Sequence, residues 1–367
     1  LVRSRGLGDV YKRQVLGLLL ALNYYVKQAQ FHVFGVTTIV IALITYCIAP
    51  IVATQPSWFY VMVIVTVLLF TELKHTFTEL AQRMKNDEMI TLAKFLAISG
   101  IILPMLPDDN LIPGINLTPY SIWLATVVVS GISYLSYLLK RYVFRESGIL
   151  VSGIVGGLYS STATISVLAR KSRKVSAQEA PEYVAVMLLA VSMMFLRFLI
   201  LIGIFSIGAL TAIYPYLLIM SAVAAGTAWF LHSRWKRPAM SETVDEDEDG
   251  SNPLEFKVAL IFAVLFVVFT IATHYTLIYA GEGGLTLLSF VSGFSDITPF
   301  ILNLLQGTGN VPVSLITACS MQAIVSNIAV NMCYALFFSG KKSPLRSWVL
   351  RGFGCVIAAN VFLLLFF

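Results

Sequence analysis

Two short polar stretches interrupt apolar segments and carry residue types that could bind an ion or a small solute. The first reads GGLYSSTATIS at 156–166 and the second reads SGFSDITPF at 292–300. Glycines let a helix unwind, and hydroxyls together with the carbonyls freed by unwinding are suitable ion ligands inside a membrane. These stretches therefore predict a binding site. The alternative is a face of small residues that packs helices closely, which glycine and serine serve equally well.

Charged and amide side chains occur within apolar segments near these stretches. Asp296 and Arg197 are the acidic and the basic residue that lie away from segment ends in the second half of the chain. A charge at the bilayer centre costs at least ~2.5–3.5 kcal/mol, so each needs a partner or water. One hypothesis is that Arg197 neutralises Asp296 until a cation or a proton displaces it, and the alternative is a purely structural ion pair. Asn327 and Asn331 share one helical face, where amides either bridge helices or bind substrate.

We accordingly predict one ion- or substrate-binding site, with no metal specified by the pattern. Its predicted residues are Gly156, Gly157, Ser160, Ser161, Thr162, Arg197, Ser295, Asp296, Thr298 and Asn327. No GxSxG, GxxxxGK[ST], GxGxxG or HExxH motif occurs, and the four cysteines show no CxxC spacing. The sequence therefore predicts no cofactor, no catalytic residue and no enzymatic activity.

Composition indicates the bilayer as the main partner. Of 367 residues 58% are hydrophobic and 12% are charged, and the mean hydropathy is +0.83. A soluble domain carries roughly 25% charged residues, so an ordinary cytosolic enzyme, a disordered chain and a disulfide scaffold are excluded. Apolar runs predict an all-α polytopic membrane protein with about 10–12 segments. The net charge of +6 does not indicate nucleic acid, because basic cytoplasmic loops produce the same excess.

The second half of the chain predicts two inverted repeats. Residues 118–168 align with 254–304 without a gap, so that Gly157 lies over Gly293. The loop at 140–147, KRYVFRES, holds three basic residues, whereas its counterpart TLIYAGEG at 276–283 holds none. Such reversal is typical of repeats inserted upside down relative to each other. Every basic loop becomes cytoplasmic if segments 6 (148–169) and 10 (284–305) are interrupted or re-entrant, and two spanning segments are the alternative.

The predicted organisation has five parts. Residues 1–14 resemble a translated sequencing adapter, so we expect them to be an artefact and the natural N-terminus to be missing. The predicted parts are 1–14, an N-terminal transmembrane region at 15–110, repeat 1 at 118–231, an acidic soluble linker at 232–253 and repeat 2 at 254–367. The basic residues that open the linker place it in the cytoplasm.

Several blocks of this sequence resemble one prokaryotic membrane family. GGLYSSTATISVLARKSRK at 156–174, MMFLRFLIL at 193–201 and SGFSDITPFIL at 292–302 resemble the Domain of Unknown Function 4010, over roughly 118–340. That domain often follows a membrane module of the MgtC/SapB type, and residues 15–106 look like the region that usually precedes it. The resemblance implies a multi-pass protein of the prokaryotic cytoplasmic (inner) membrane. It names no activity, because the family has none that is settled.

Two functions follow as predictions. The first is a transporter or channel for a small ion or solute. The second is a non-transporting regulator that acts through partner membrane proteins, as the MgtC/SapB association implies. A homo-oligomer is compatible with both, and neither involves nucleic acid.

Overall fold

The computed structural model describes residues 86–144, 148–233, 256–307, 311–340 and 343–364, with scattered stretches between 14 and 72. The chain forms two compact units, Leu1–Arg83 and Met84–Phe367. In the first unit, short apolar helices cover Gly17–Val26 and Phe59–Leu69. The predictions for 1–14 and for the linker 232–253 fall almost wholly outside the described residues, as does much of the predicted N-terminal region at 15–110.

The second unit is α-helical. Its helices are α1 (Asn86–Ala97), α2 (Pro119–Leu138), α3 (Ile149–Lys171), α4 (Ala180–Phe205), α5 (Ile207–Ser233), α6 (Phe256–Ser292), α7 (Ile297–Gly307), α8 (Val313–Ser339) and α9 (Leu345–Leu364). Eight helical stretches in the described part of the chain are long and apolar enough to cross a membrane. The protein is therefore a multi-span membrane protein.

Local sequence signals set the helix ends. The hydroxyl of Thr118 accepts from the Ser121 amide at 3.0 Å, and Ser121 Oγ accepts from the Thr118 amide at 3.1 Å. This reciprocal cap, followed by Pro119 at the first helical position, starts α2. At the other end of the unit, α8 ends at Gly340, whose φ of +90° favours glycine.

Helix α4 lies at the centre of this unit. In the most apolar 18-residue stretch of α4, 67% of residues are buried, whereas 22% are buried in the corresponding stretch of α6. Interhelical hydrogen bonds hold the bundle around it, because lipid offers no hydrophobic drive for helix association. Ser192 Oγ of α4 bonds Ser221 Oγ of α5 at 2.9 Å, and the hydroxyl of Tyr216 bonds Asn360 Oδ1 of α9 at 2.5 Å.

Helix α3 is broken at its midpoint. Ser160 has a non-helical backbone, with φ −159° and ψ 106°. A Cβ built on Gly156 would lie 2.7 Å from Oγ1 of Thr164, although residues eight apart in a continuous helix are separated by about 12 Å. The chain therefore bends back sharply at Ser160, and α3 consists of two short arms.

The second arm of α3 returns toward the end at which the first arm starts. Gly153 contacts Val186 and Gly157 contacts Ala190, so the first arm runs parallel to α4. This register places the start of α4 level with the start of α3. The connection at 172–179 is too short to reach that level from a second arm that continued onward.

The tenth predicted segment contains a corresponding break. The chain first reverses at Gly281, with φ 60° and ψ −151°, and runs to Ser292. After a non-helical turn, α7 returns alongside the first part of α6. There Asn303 Nδ2 donates to Thr273 Oγ1 at 2.8 Å and to the Phe269 carbonyl at 3.3 Å.

Both broken segments pack on the helix that follows them in the same way. A Cβ on Gly157 would lie 2.5 Å from the Cα of Ala190, and a Cβ on Gly293 would overlap the side chain of Ser326. Gly157 and Gly293 are equivalent in the alignment of the two halves, and Ala190 and Ser326 are related by the same shift in numbering. The absence of a side chain at each glycine is what allows the close approach.

Candidate functional site

A cavity of about 450 Å³ lies where the two broken segments meet. Nine of the ten residues predicted from sequence line it. They are Gly157, Ser160, Ser161, Thr162, Arg197, Ser295, Asp296, Thr298 and Asn327. The structure therefore brings together residues that are far apart in the chain. In the sequence, the two polar stretches were related only by the alignment of the two halves.

The breaks themselves face this cavity. Ser160 Oγ accepts from the Ala163 amide at 3.3 Å, and Asp296 Oδ1 accepts from the Thr298 amide at 2.9 Å. Each side chain thus caps the N-terminus of the short helix that follows the break. Ser160 and Asp296 are also equivalent positions in the alignment of the two halves. Two half-helices consequently begin at the cavity wall.

Neighbouring helices satisfy the carbonyls that the breaks release. Arg197 of α4 donates from Nη1 to the Tyr159 carbonyl at 2.9 Å. Asn327 of α8 donates from Nδ2 to the Gly293 carbonyl at 3.3 Å. Irregular backbone within a membrane is tolerated where protein or water satisfies its polar groups, so both side chains stabilise the breaks.

The structure shows no direct ion pair between Arg197 and Asp296, although Asp296 acts electrostatically on Arg197 across the cavity. Both line the cavity, yet no contact within 4.0 Å joins their charged groups in the described structure. Arg197 is half-buried and reaches the Tyr159 carbonyl, whereas Asp296 is exposed and caps α7. Each charged side chain therefore bonds a backbone group at a break, Arg197 a carbonyl and Asp296 an amide, instead of the oppositely charged side chain.

Gly156 lies outside the cavity lining. It is buried against Thr164 on the second arm of α3, where a larger residue would push the arms apart. Close packing therefore explains why this position is a glycine. Packing was the alternative stated above for the small residues of these stretches. Asn331 is also absent from the lining; its Nδ2 donates to Asn327 Oδ1 at 3.1 Å and so orients the amide that reaches the break.

Sequence reasoning missed an apolar wall. Val258, Ile261, Phe262 and Leu265 of α6 line the cavity together with the polar breaks. Their spacing is that of one helical face and could have marked them as a group. It could not have shown that this face borders a cavity, because lipid-facing and cavity-facing apolar residues look alike in sequence.

A polar cluster between α1 and α2 was also missed. The carboxylate of Glu88 is buried and forms an ion pair with Arg141 at 2.6 Å. Tyr137 donates to its Oε1 at 2.7 Å, and Tyr142 donates to its Oε2. The cluster fastens the end of α2 to α1, two elements that a loop separates in the chain.

The described residues contain no group of three or more His, Cys, Asp or Glu side chains that could hold a metal ion. The cavity offers hydroxyls, one carboxylate, one guanidinium and one amide instead.

Comparison with known proteins gives two matches. The family described as Domain of unknown function (DUF4010) matches residues 127–339. The chain is also similar to an uncharacterized protein of Aquifex aeolicus, at 28% identity over 211 residues, which cover 54% of this chain and 86% of that protein. No solved structure matches. Since the family match covers more than half of the 367 residues and includes both broken segments, the chain belongs to the DUF4010 family of membrane proteins.

Proposed function

We propose that this protein is a transporter or channel for a small ion or solute. The observation that carries the proposal is that the two broken segments place their polar breaks against one cavity among membrane-crossing helices. Discontinuous helices that meet near mid-membrane are the usual way in which transporters bind substrate. A helix-packing role alone would need neither a cavity nor capped half-helices.

The proposal includes two inverted repeats, 118–231 and 254–367. The contacts of Gly157 with Ala190 and of Gly293 with Ser326 support it, because one constant shift in numbering converts the first pair into the second. The same shift aligns the two halves of the sequence.

Loop charges support the inversion and an orientation. Arg173, in the loop after α3, donates from Nε to the Phe338 carbonyl near the end of α8 at 2.6 Å, so these two basic regions lie at one end of the bundle. With that end in the cytoplasm, the loops after α2, α3, α5 and α8 all obey the positive-inside rule.

Cysteine accessibility tests the orientation. Ala177 and Gly283 are both exposed, and a Cβ at Gly283 meets no atom within 4 Å. In a background without native cysteines, an impermeant maleimide should label Gly283→Cys in intact cells and Ala177→Cys only after permeabilisation. Labelling of both from the same face would overturn the inverted arrangement.

Uptake into proteoliposomes tests the activity and the site. Radiolabelled sodium, chloride, butyrate and alanine are the probes, and at least one should enter faster than it enters protein-free liposomes. Arg197→Gln, Asp296→Asn and the double variant should lose that uptake. Arg351→Gln is the matched control, because Arg351 is exposed on α9 beside Trp348 and lies outside the cavity.

Two results would contradict the proposal. Uptake that survives in all three cavity variants would overturn the site. If none of the four probes enters and a stoichiometric membrane partner copurifies, the non-transporting regulator is the better description.

A further inference from the structure

The two formal charges in the cavity lining differ in burial, because Arg197 has a buried polar atom without a partner and Asp296 is exposed. A guanidinium has five N–H donors, and one hydrogen bond from Arg197 is present in the described structure, to the Tyr159 carbonyl. Its Nε is buried and has no partner there. Asp296, in contrast, is exposed, and its Oδ1 caps α7. The buried polar group that lacks a partner at the cavity is therefore that of a cation.

The backbone adds to this positive character. The N-terminus of a helix carries about half a positive charge. The half-helix after Ser160 begins at the cavity with a neutral hydroxyl as its cap, whereas the carboxylate of Asp296 offsets the charge at the start of α7. At each preceding arm one released carbonyl, that of Tyr159 or Gly293, already accepts from a side chain, Arg197 or Asn327.

The remaining lining is apolar. One face of α6, consisting of Val258, Ile261, Phe262 and Leu265, borders the same cavity. A hydrated inorganic ion gains nothing from such a wall, whereas a short hydrocarbon chain does. At about 450 Å³ the cavity has the size of a site for a small organic molecule.

We propose that the cavity binds a small organic anion, with its carboxylate on Arg197 and the half-helix that begins after Ser160, and its apolar chain against the α6 face. This inference rests on the proposed function and names the substrate class of the same site. A planar guanidinium matches a carboxylate through paired hydrogen bonds, which gives the head group a defined orientation.

Thermal stability of the purified full chain in detergent tests the charge preference without any variant. The probes are the sodium carboxylates from acetate to hexanoate, the alkylammonium chlorides of equal chain length and 1-butanol as a neutral counterpart. Butyrate or a neighbouring carboxylate should raise the melting temperature in a saturable way, whereas the alkylammonium and the alcohol should not. Equal or larger shifts with alkylammonium would overturn the proposal, as would the absence of any carboxylate-specific shift.

Variants then locate the effect. Arg197→Gln should weaken the apparent affinity for the best carboxylate by roughly tenfold or more, since it removes charge-assisted hydrogen bonds. Asp296→Asn should tighten it, because asparagine keeps the helix cap and a repelling charge is lost. Arg351→Gln removes a positive charge from the surface of α9 and so controls for general effects of charge loss on the stability of the protein in detergent. A carboxylate shift that persists unchanged in Arg197→Gln would overturn the site.

Uptake of the same carboxylate separates this inference from the proposed function. If proteoliposomes take up sodium but neither alanine nor any of the simple carboxylates, and no carboxylate stabilises the protein, transport stands and the anion site is wrong. If a carboxylate binds in an Arg197-dependent way but no probe is transported, the anion site stands and transport is wrong.

Discussion

The close approach of the first arm of α3 to α4 makes Gly157→Ala a sharp test of the hairpin. A Cβ at this position would lie 2.5 Å from the Cα of Ala190 and 2.7 Å from its carbonyl oxygen. Ordinary carbon contacts are about 3.5–4.0 Å, so the arm must move by about 1 Å. Both neighbouring atoms belong to the backbone, and no side-chain rotation can relieve the overlap. Overpacking of this kind costs about 1–3 kcal/mol.

Gly226→Ala provides the matched control. Gly226 lies inside α5, is exposed, and has no atom within 4 Å of a Cβ built on it. Alanine is favoured over glycine inside a helix by roughly 0.5–1 kcal/mol, so this variant should equal or exceed the wild type in stability. Because Gly157 also lies in a helical arm, this gain applies to both variants and cancels. The two should therefore differ by the overpacking cost, about 1–3 kcal/mol in free energy of unfolding.

Equilibrium unfolding by sodium dodecyl sulfate in mixed micelles, followed by circular dichroism, measures this difference. Gly293→Ala should behave like Gly157→Ala, because its Cβ would overlap Ser326. If Gly157→Ala unfolds at the same midpoint as Gly226→Ala, the arm does not pack on α4 as described and the reasoning about the hairpin fails.

Three further variants are tested in the same unfolding assay. Gly281→Ala should destabilise by about 1–3 kcal/mol, because φ 60° with ψ −151° is a conformation almost confined to glycine; an unchanged midpoint would contradict this. Glu88→Gln should cost about 1–3 kcal/mol by leaving Arg141 without its counter-charge, and a stabilising effect would show that the cluster is dispensable. Tyr216→Phe should cost about 1–2 kcal/mol because buried Asn360 loses its 2.5 Å hydrogen bond, so wild-type stability would argue against that bond.

Hydropathy and composition were sufficient to predict most of the helices in the second unit. The apolar stretches of the second unit are mostly helical, because twenty apolar residues in lipid have few alternatives to a helix. The separation of α4 from α5 is less evident from hydropathy. Helix α5 begins at Ile207 because Ser206 turns the chain and caps the new helix through the Ala209 amide.

The binding-site prediction depended on recognising glycine and hydroxyl residues at equivalent positions in the two halves. That pattern selected six lining residues, since breaks in membrane helices need these residue types wherever they occur. Arg197, Asp296 and Asn327 were selected as charged or amide side chains within apolar segments. The pattern selected Gly156 as well, because a glycine that lets two arms approach looks the same in sequence as one beside a cavity.

By itself the amino-acid sequence determined that this chain is a multi-span helical membrane protein with two polar interruptions, because hydropathy and residue type are local properties. Only the tertiary structure decided which groups meet. Arg197 bonds the Tyr159 carbonyl rather than Asp296, the α6 face borders the cavity, and Glu88 joins α2. These partners are set by distances between helices that are far apart in the chain, and freed backbone groups compete for side chains in a way that residue types do not reveal.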